Sequence, residues 1–202
     1  MLFRSLLQGP SIIPVSFSPD GKHLSYDSVT GTRGIFMLPL DLTDPERPKP
    51  GKPEAFLQTS ATDAEGVFSP DGRWVAYQSD ESGGPKVYVR PFPGPGGKWQ
   101  ISPGTTPVWS RNGRELFYVG PDERIRVTEY SAKGASFIYS TPRVWSDKQL
   151  NRAGGRRFLD IAPDGKRFAV FPELDAGEKQ GNVHVTFLLN FADEVRRSIP
   201  LN

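Results

Sequence analysis

The sequence predicts an all-β fold, a β-propeller built from four four-stranded blades. Three observations carry that prediction. A strand–turn–strand unit, clearest at Phe68-Ser69-Pro70-Asp71-Gly72-Arg73-Trp74-Val75-Ala76-Tyr77, occurs four times. Its copies, aligned at Pro19, Pro70, Arg111 and Pro163, lie 51, 41 and 52 residues apart, a period that suits four short strands per repeat. The 21 glycines and 20 prolines are spread along the chain, which marks many turns, and no stretch keeps a helical period for long. One four-stranded sheet cannot bury both of its faces alone, so the copies must pack face to face around an axis.

The turn chemistry justifies each unit. Pro19, Pro70 and Pro163 pre-set φ for a first turn position. Asp20, Asp71 and Asp164 can bond back to the local backbone, and Gly21, Gly72 and Gly165 take a positive φ at little cost. The third copy, Ser110-Arg111-Asn112-Gly113, is degraded, but Asn112 and Gly113 suit the same turn. All eleven turn residues from Pro19 to Gly165 read as folding devices.

The strands follow from the apolar and aromatic runs around these turns. In the first blade they are expected at 12–18, 23–28, 34–40 and 54–58, with residues 44–53 a proline-rich, charged connection. The second blade takes 65–69, 73–79, 86–92 and 98–101, and the third 105–110, 114–119, 124–130 and 136–145. The fourth takes 156–161, 166–171 and 182–189, leaving a tail at 190–202. The blades therefore span about 12–58, 65–101, 105–145 and 156–189 of one domain covering 1–202. Phe17, Phe68, Trp109, Tyr26, Tyr77, Tyr118 and Phe171 recur at equivalent positions and are expected to pack between blades rather than to stack on bases.

Composition narrows the function classes. Net charge is +2, from 25 Lys+Arg against 23 Asp+Glu, so the isoelectric point near 8.9 reflects near-balance, with none of the clustered basic stripe of a nucleic-acid binder. The absence of cysteine excludes disulfides and thiolate metal sites. No run of 18 apolar residues occurs, so no membrane span is expected, and Met1-Leu2-Phe3-Arg4-Ser5-Leu6-Leu7 is too short in apolar residues for a signal peptide.

The search for catalytic chemistry finds no site. His23 and His184 are the two candidate imidazole bases, and both read as strand-face histidines. No Gly-x-Ser-x-Gly elbow, kinase loop or Asp-Phe-Gly motif occurs, and Gly94-Pro95-Gly96-Gly97-Lys98 reads as a hairpin loop because Trp99 stands where a phosphate loop has Ser or Thr. One carboxylate per turn is far short of a calcium shell, and Asp80-Glu81 reads as a solvated hairpin tip. Lys148, Arg152, Arg156 and Arg157 make the densest basic patch, read as a solvated loop. No enzyme activity, cofactor or metal is expected in this chain.

The motif Phe-Ser-Pro-Asp-Gly-(Lys/Arg)-x-(Leu/Val)-(Ser/Ala)-Tyr, with Ile161-Ala162-Pro163-Asp164-Gly165 as its last copy, resembles the PD40 (WD40-like) repeat of TolB-type β-propellers, over roughly residues 2–197. The closing segment, Leu189-Asn190-Phe191 followed by Asp193-Glu194, is similar to that of propellers attached to bacterial serine/threonine kinases, with Phe191 in place of a Trp. The resemblance implies a non-catalytic binding or scaffolding module, of the kind found in receptor-type kinase sensors or TolB, in an extracytoplasmic compartment. An accessory propeller of a prolyl-oligopeptidase-type peptidase is the alternative, and a standalone carbohydrate- or lyase-type propeller enzyme a third. TolB-type propellers have six or more blades, so four copies imply either part of a larger propeller or a small closed ring; irregular long loops favour the first. A protein or small-ligand partner is expected at the end loops 29–34, 44–53, 80–85, 93–97, 147–155 and 175–181, where the copies differ most.

Overall fold

The computed structural model describes residues 11–150 except 30, 32, 45, 46 and 95, together with 159–162, 164, 165 and 167–170. Every regular element among them is a β-strand. The first blade is antiparallel, with β1 (Ile12–Phe17), β2 (His23–Ser28) and β3 (Gly34–Asp41) in order. The two-residue β4 (Lys49–Pro50) and the outer β5 (Glu54–Leu57) both pair with β3. The second blade runs β6 (Asp63–Phe68), β7 (Trp74–Ser79), β8 (Lys86–Pro91) and β9 (Trp99–Pro103). The third has β10 (Thr105–Trp109), β11 (Glu115–Val119) and β12 (Arg124–Lys133), then β13 (Ser136–Tyr139) and β14 (Arg143–Gln149), both paired with β12. The fourth is described as the pair β15 (Leu159–Ile161) and β16 (Phe168–Val170). The strand expected at 182–189, the tail, and the N-terminal segment lie outside the described residues.

The blades stack through the two faces of their middle strands. In β7, Val75 and Tyr77 join Ile35, Met37 and Phe68 between the first and second blades. Trp74 and Ala76, pointing the other way, join Trp109, Leu116 and Tyr118 between the second and third. A strand's side chains alternate faces, so a blade covered on both sides reads as the unbroken apolar run Trp74-Val75-Ala76-Tyr77. Each such fully buried large side chain contributes about 1.5–3 kcal/mol. Gly66 marks the closest approach, since a Cβ there would sit 2.8 Å from Ile35 Cγ2.

Each innermost strand of the first three blades is bulged, with register shifts between Pro14 and Ser16, Ala64 and Val67, and Thr105 and Val108. The bulge frees backbone amides from the ladder, and the neighbouring blade takes them up. The Glu65 N–H, at φ 59°, donates to the Asp27 carboxylate at 3.0 Å. The Thr106 N–H, at φ 55°, donates to Glu65 Oε2 at 2.8 Å. The matching residue of the first blade is Pro14, which has no N–H to place. Further bonds join the inner strands: Ser25 Oγ to the Gly66 carbonyl at 2.5 Å and Trp109 Nε1 to the Val67 carbonyl at 3.0 Å.

The structure departs from the sequence reading in three places: β4 pairs with β3 inside the connection expected at 44–53, β14 pairs with β12 as far as Gln149, inside the loop expected at 147–155, and the outer edge of the third blade is divided. The outer strand expected at 136–145 is two strands, and β12 runs three residues past its expected end at 130. Pro142 has no N–H to continue the ladder, so the edge breaks at 140–142. Gly134, at φ 60°, turns β12 back into β13. The resulting hairpin reaches over the second blade. Phe137 packs against Trp74, Trp99, Trp109 and Tyr130, Tyr139 Oη donates to the Gln100 carbonyl at 2.7 Å, and Arg73 donates to the Gly134 carbonyl.

Candidate functional site

The turns that join the two innermost strands of the first three blades are built on a buried serine. In the first, Ser18 Oγ donates to Asp20 Oδ1 at 2.6 Å and accepts the His23 N–H at 2.9 Å. In the second, Ser69 Oγ donates to Asp71 at 2.6 Å and accepts the Trp74 N–H at 3.0 Å. Asp20 Oδ1 and Asp71 Oδ1 each accept a further N–H, from Lys22 and Arg73, at 3.1 Å. The Ser18 hydroxyl, the Lys22 amide and nearby positive charge together hold the Asp20 carboxyl below the usual carboxylate range. Gly21, Gly72, Gly113 and Gly165 sit at φ 68–70°, where a side chain would strain the backbone. In the fourth turn Ala162 replaces the serine. Its backbone bonds survive, at 2.8 Å from the Ala162 N–H to Arg167 and 2.9 Å from Gly165 to Ala162, while Asp164 pairs with Arg167 at 3.0 Å. Pro163 lies outside the described residues.

These turns and the inner strands line a cavity of about 850 Å³, open to solvent, on the axis of the blades. Ser16, Val67, Val108 and Asp160, one from each inner strand, line its wall, and Pro19, Pro70 and Arg111 line its turn end. Its size suits a ligand or an inserted segment of chain. Phe17, also on its lining, is 57% exposed, whereas Phe68 and Trp109 at the equivalent positions are 7% and 6% exposed. The packing expected of Phe17 is thus corrected. Phe68 and Trp109 are each covered by the blade before theirs, and no described blade covers Phe17 in that way. Tyr77 and Tyr118 are buried between blades, and burial pushes their hydroxyls up, whereas Tyr26 packs within the first blade against Leu38 and Leu40, a correction to the inter-blade packing expected of it. The turns were read as folding devices alone; that they also face the axial cavity was not legible in the repeat.

The remaining candidates are placed as follows. His23 meets the Phe92 ring edge-on, with the ring centroids 5.1 Å apart. His184, Phe171, Arg152, Arg156 and Arg157 lie outside the described residues, and Lys148 is exposed. Lys98 pairs with Glu81 at 2.7 Å and sits over the Tyr88 ring, so the glycine loop before it is a hairpin connection. Asp80 accepts the Thr62 N–H at 2.8 Å, and these bonds to Thr62 lower its pKa. Among the described residues, no three His, Asp or Glu side chains gather as a metal site, and no helix is long and apolar enough to cross a membrane.

No protein-family model matches the chain, and no curated protein matches it. Solved structures do. A structure reported as TolB from Agrobacterium tumefaciens aligns at a TM-score of 0.54 and 17% identity, over 83% of this chain and 61% of that one. A structure reported as a 6-phosphogluconolactonase from Bacteroides uniformis aligns at 0.51 and 18%, over 84% and 52%. The chain thus spans between half and two thirds of the length of these proteins. At such identities the likeness shows the fold, an all-β propeller of the TolB-like kind.

Proposed function

We propose that this chain is a non-catalytic propeller module that receives a segment of a partner protein in its axial cavity. The observation that carries the reading is the exposed Phe17 ring on the lining of that cavity. A large exposed apolar side chain beside a concave surface is the pattern of a binding anchor. The TolB-like fold is consistent with a binding role, and the similarity of Leu189-Asn190-Phe191 to the closing segment of kinase-attached propellers supports a sensor module of a bacterial receptor-type kinase. The proposal includes no turnover.

Selection of phage-displayed random dodecapeptides on the purified chain tests this. Selected peptides are expected to lose about tenfold in affinity on Phe17→Ala, a loss typical of an anchor residue. That substitution should leave thermal stability within about 0.5 kcal/mol, because the ring is more than half exposed. No hydrolysis of 6-phosphogluconolactone above background is expected. Turnover of that compound, or peptides indifferent to Phe17, would refute the reading.

A further inference from the structure

The third turn keeps the geometry of the others and changes its charge. Ser110 Oγ donates to Asn112 Oδ1 at 2.6 Å, as the other two serines do to Asp20 and Asp71. The Arg114 N–H reaches Asn112 Oδ1 at 2.9 Å, and the Glu115 N–H reaches Ser110 Oγ at 2.9 Å. Asn112 therefore supplies the acceptor that the turn needs without a carboxylate's negative charge. At the preceding position Arg111 stands where the first two turns have Pro19 and Pro70. One change adds a positive charge and the other removes a negative one, so both move the potential of this turn in the same direction. What reads in sequence as decay of the repeat is, in three dimensions, a turn with an intact frame in which Arg111 and Arg114 stand in place of the balanced pairs Asp20 and Lys22, and Asp71 and Arg73.

Arg111 is exposed and lies on the lining of the axial cavity. Among the described residues it makes no ion pair, and none joins it to Asp160, the carboxylate on the neighbouring wall. Glu115, the acidic residue of the same turn, starts β11. Val67 and Val108 give the cavity wall beside Arg111 an apolar character. A guanidinium next to such a wall suits a planar carboxylate, which it can hold through two parallel hydrogen bonds, and the apolar neighbours strengthen that attraction by reducing screening.

We propose that the third turn is an anion-recognition element, in which Arg111 binds a carboxylate of a polypeptide segment whose adjacent apolar side chain enters the cavity. This rests on the reading of the cavity as a protein-binding site, and it adds the chemistry of the partner: acidic next to apolar.

The test reverts the turn to the sequence of its neighbours. Arg111→Pro together with Asn112→Asp recreates Ser-Pro-Asp-Gly, a turn this chain already folds twice among its described residues, so an unchanged melting transition is expected. Dodecapeptides selected on the unmodified chain are synthesised as such, with Asp and Glu exchanged for Asn and Gln, and with free or amidated C-termini. Affinity is read by fluorescence anisotropy at about 50 and 500 mM NaCl, a range over which screening changes strongly. The expected result is a loss of about tenfold on turn reversion, a matching loss on removal of the peptide's anion, and weaker binding at high salt. Sensitivity to the Asp/Glu exchange assigns the anion to an acidic side chain; sensitivity to amidation assigns it to a chain terminus. Peptides that depend on Phe17 but bind the reverted turn equally well would overturn the anion inference while leaving the cavity's role in place. Peptides indifferent to Phe17 as well would remove both.

Discussion

Ser69 is the residue on which the second turn hangs. It is fully buried, and its hydroxyl links Asp71 to the Trp74 amide. Replacing it by alanine should cost about 1–2 kcal/mol, read as a shift of the urea midpoint, because an acceptor is lost beside a buried amide. The fourth turn shows that the fold tolerates the change, since Ala162 holds that position with its backbone bonds intact. The converse substitution, Ala162→Ser, should stabilise by about 0.5–1.5 kcal/mol, because it restores the hydroxyl that accepts a turn amide in the other blades. Acid provides a second probe. The folded-state pKa of Asp20 is depressed, through its bonds to Ser18 and Lys22. Its contribution is therefore present above the unfolded value of about 3.9 and is lost as pH falls through the lower folded value. Asp20→Asn should flatten the acid limb of the stability curve, since asparagine already serves at the same place in the third turn. A curve of unchanged steepness below about pH 4 would count against this.

Among the elements, the hairpin of β12 and β13 is the least expected. It fastens the third blade to the outer part of the second through Phe137, which is buried among four aromatic rings of those blades besides Tyr139. Phe137→Ala should destabilise by about 3–5 kcal/mol. It should also open the chain to proteolysis near Gly134 before global unfolding, because little else in the described residues holds the hairpin tip. Cleavage elsewhere first would mean that the hairpin does not depend on this ring. The hairpin was hidden in the sequence because residues 136–145 are continuous in β-forming character, and only Pro142 signals the break. The two innermost strands of the first three blades, by contrast, were legible within one or two residues, because the turn between them fixes where one strand stops and the next begins.

For the whole molecule, the repeat told more about architecture than about the site. The period of the turns and the unbroken apolar run of β7 both follow from blades buried on two faces, so the all-β propeller could be read directly. The cavity could not. Ser16, Val67, Val108 and Asp160 are separated by whole repeats and carry no common chemistry, and only the ring arrangement brings them together. Phe17 looked the same as Phe68 and Trp109 because exposure depends on what covers a residue, which its own motif does not record. Arg111 looked like an imperfect proline position for the same reason.

The bonds between inner strands bear on how such a chain can change its number of blades. The Glu65 amide needs Asp27, and the Thr106 amide needs Glu65, so each junction is keyed to its own pair of residues. Gln78, which matches Asp27 in the repeat, is not the acceptor at the next junction. Blades that look alike as text therefore close their junctions with different carboxylates. In a tandem duplication of the second blade, the amide of the copied Glu65 would fall behind Gln78, and the first Glu65 carboxylate would be the acceptor in register with it, as it is for Thr106. Glu65 thus serves one junction through its amide and the next through its carboxylate, so a blade of this kind can be repeated without a new acceptor.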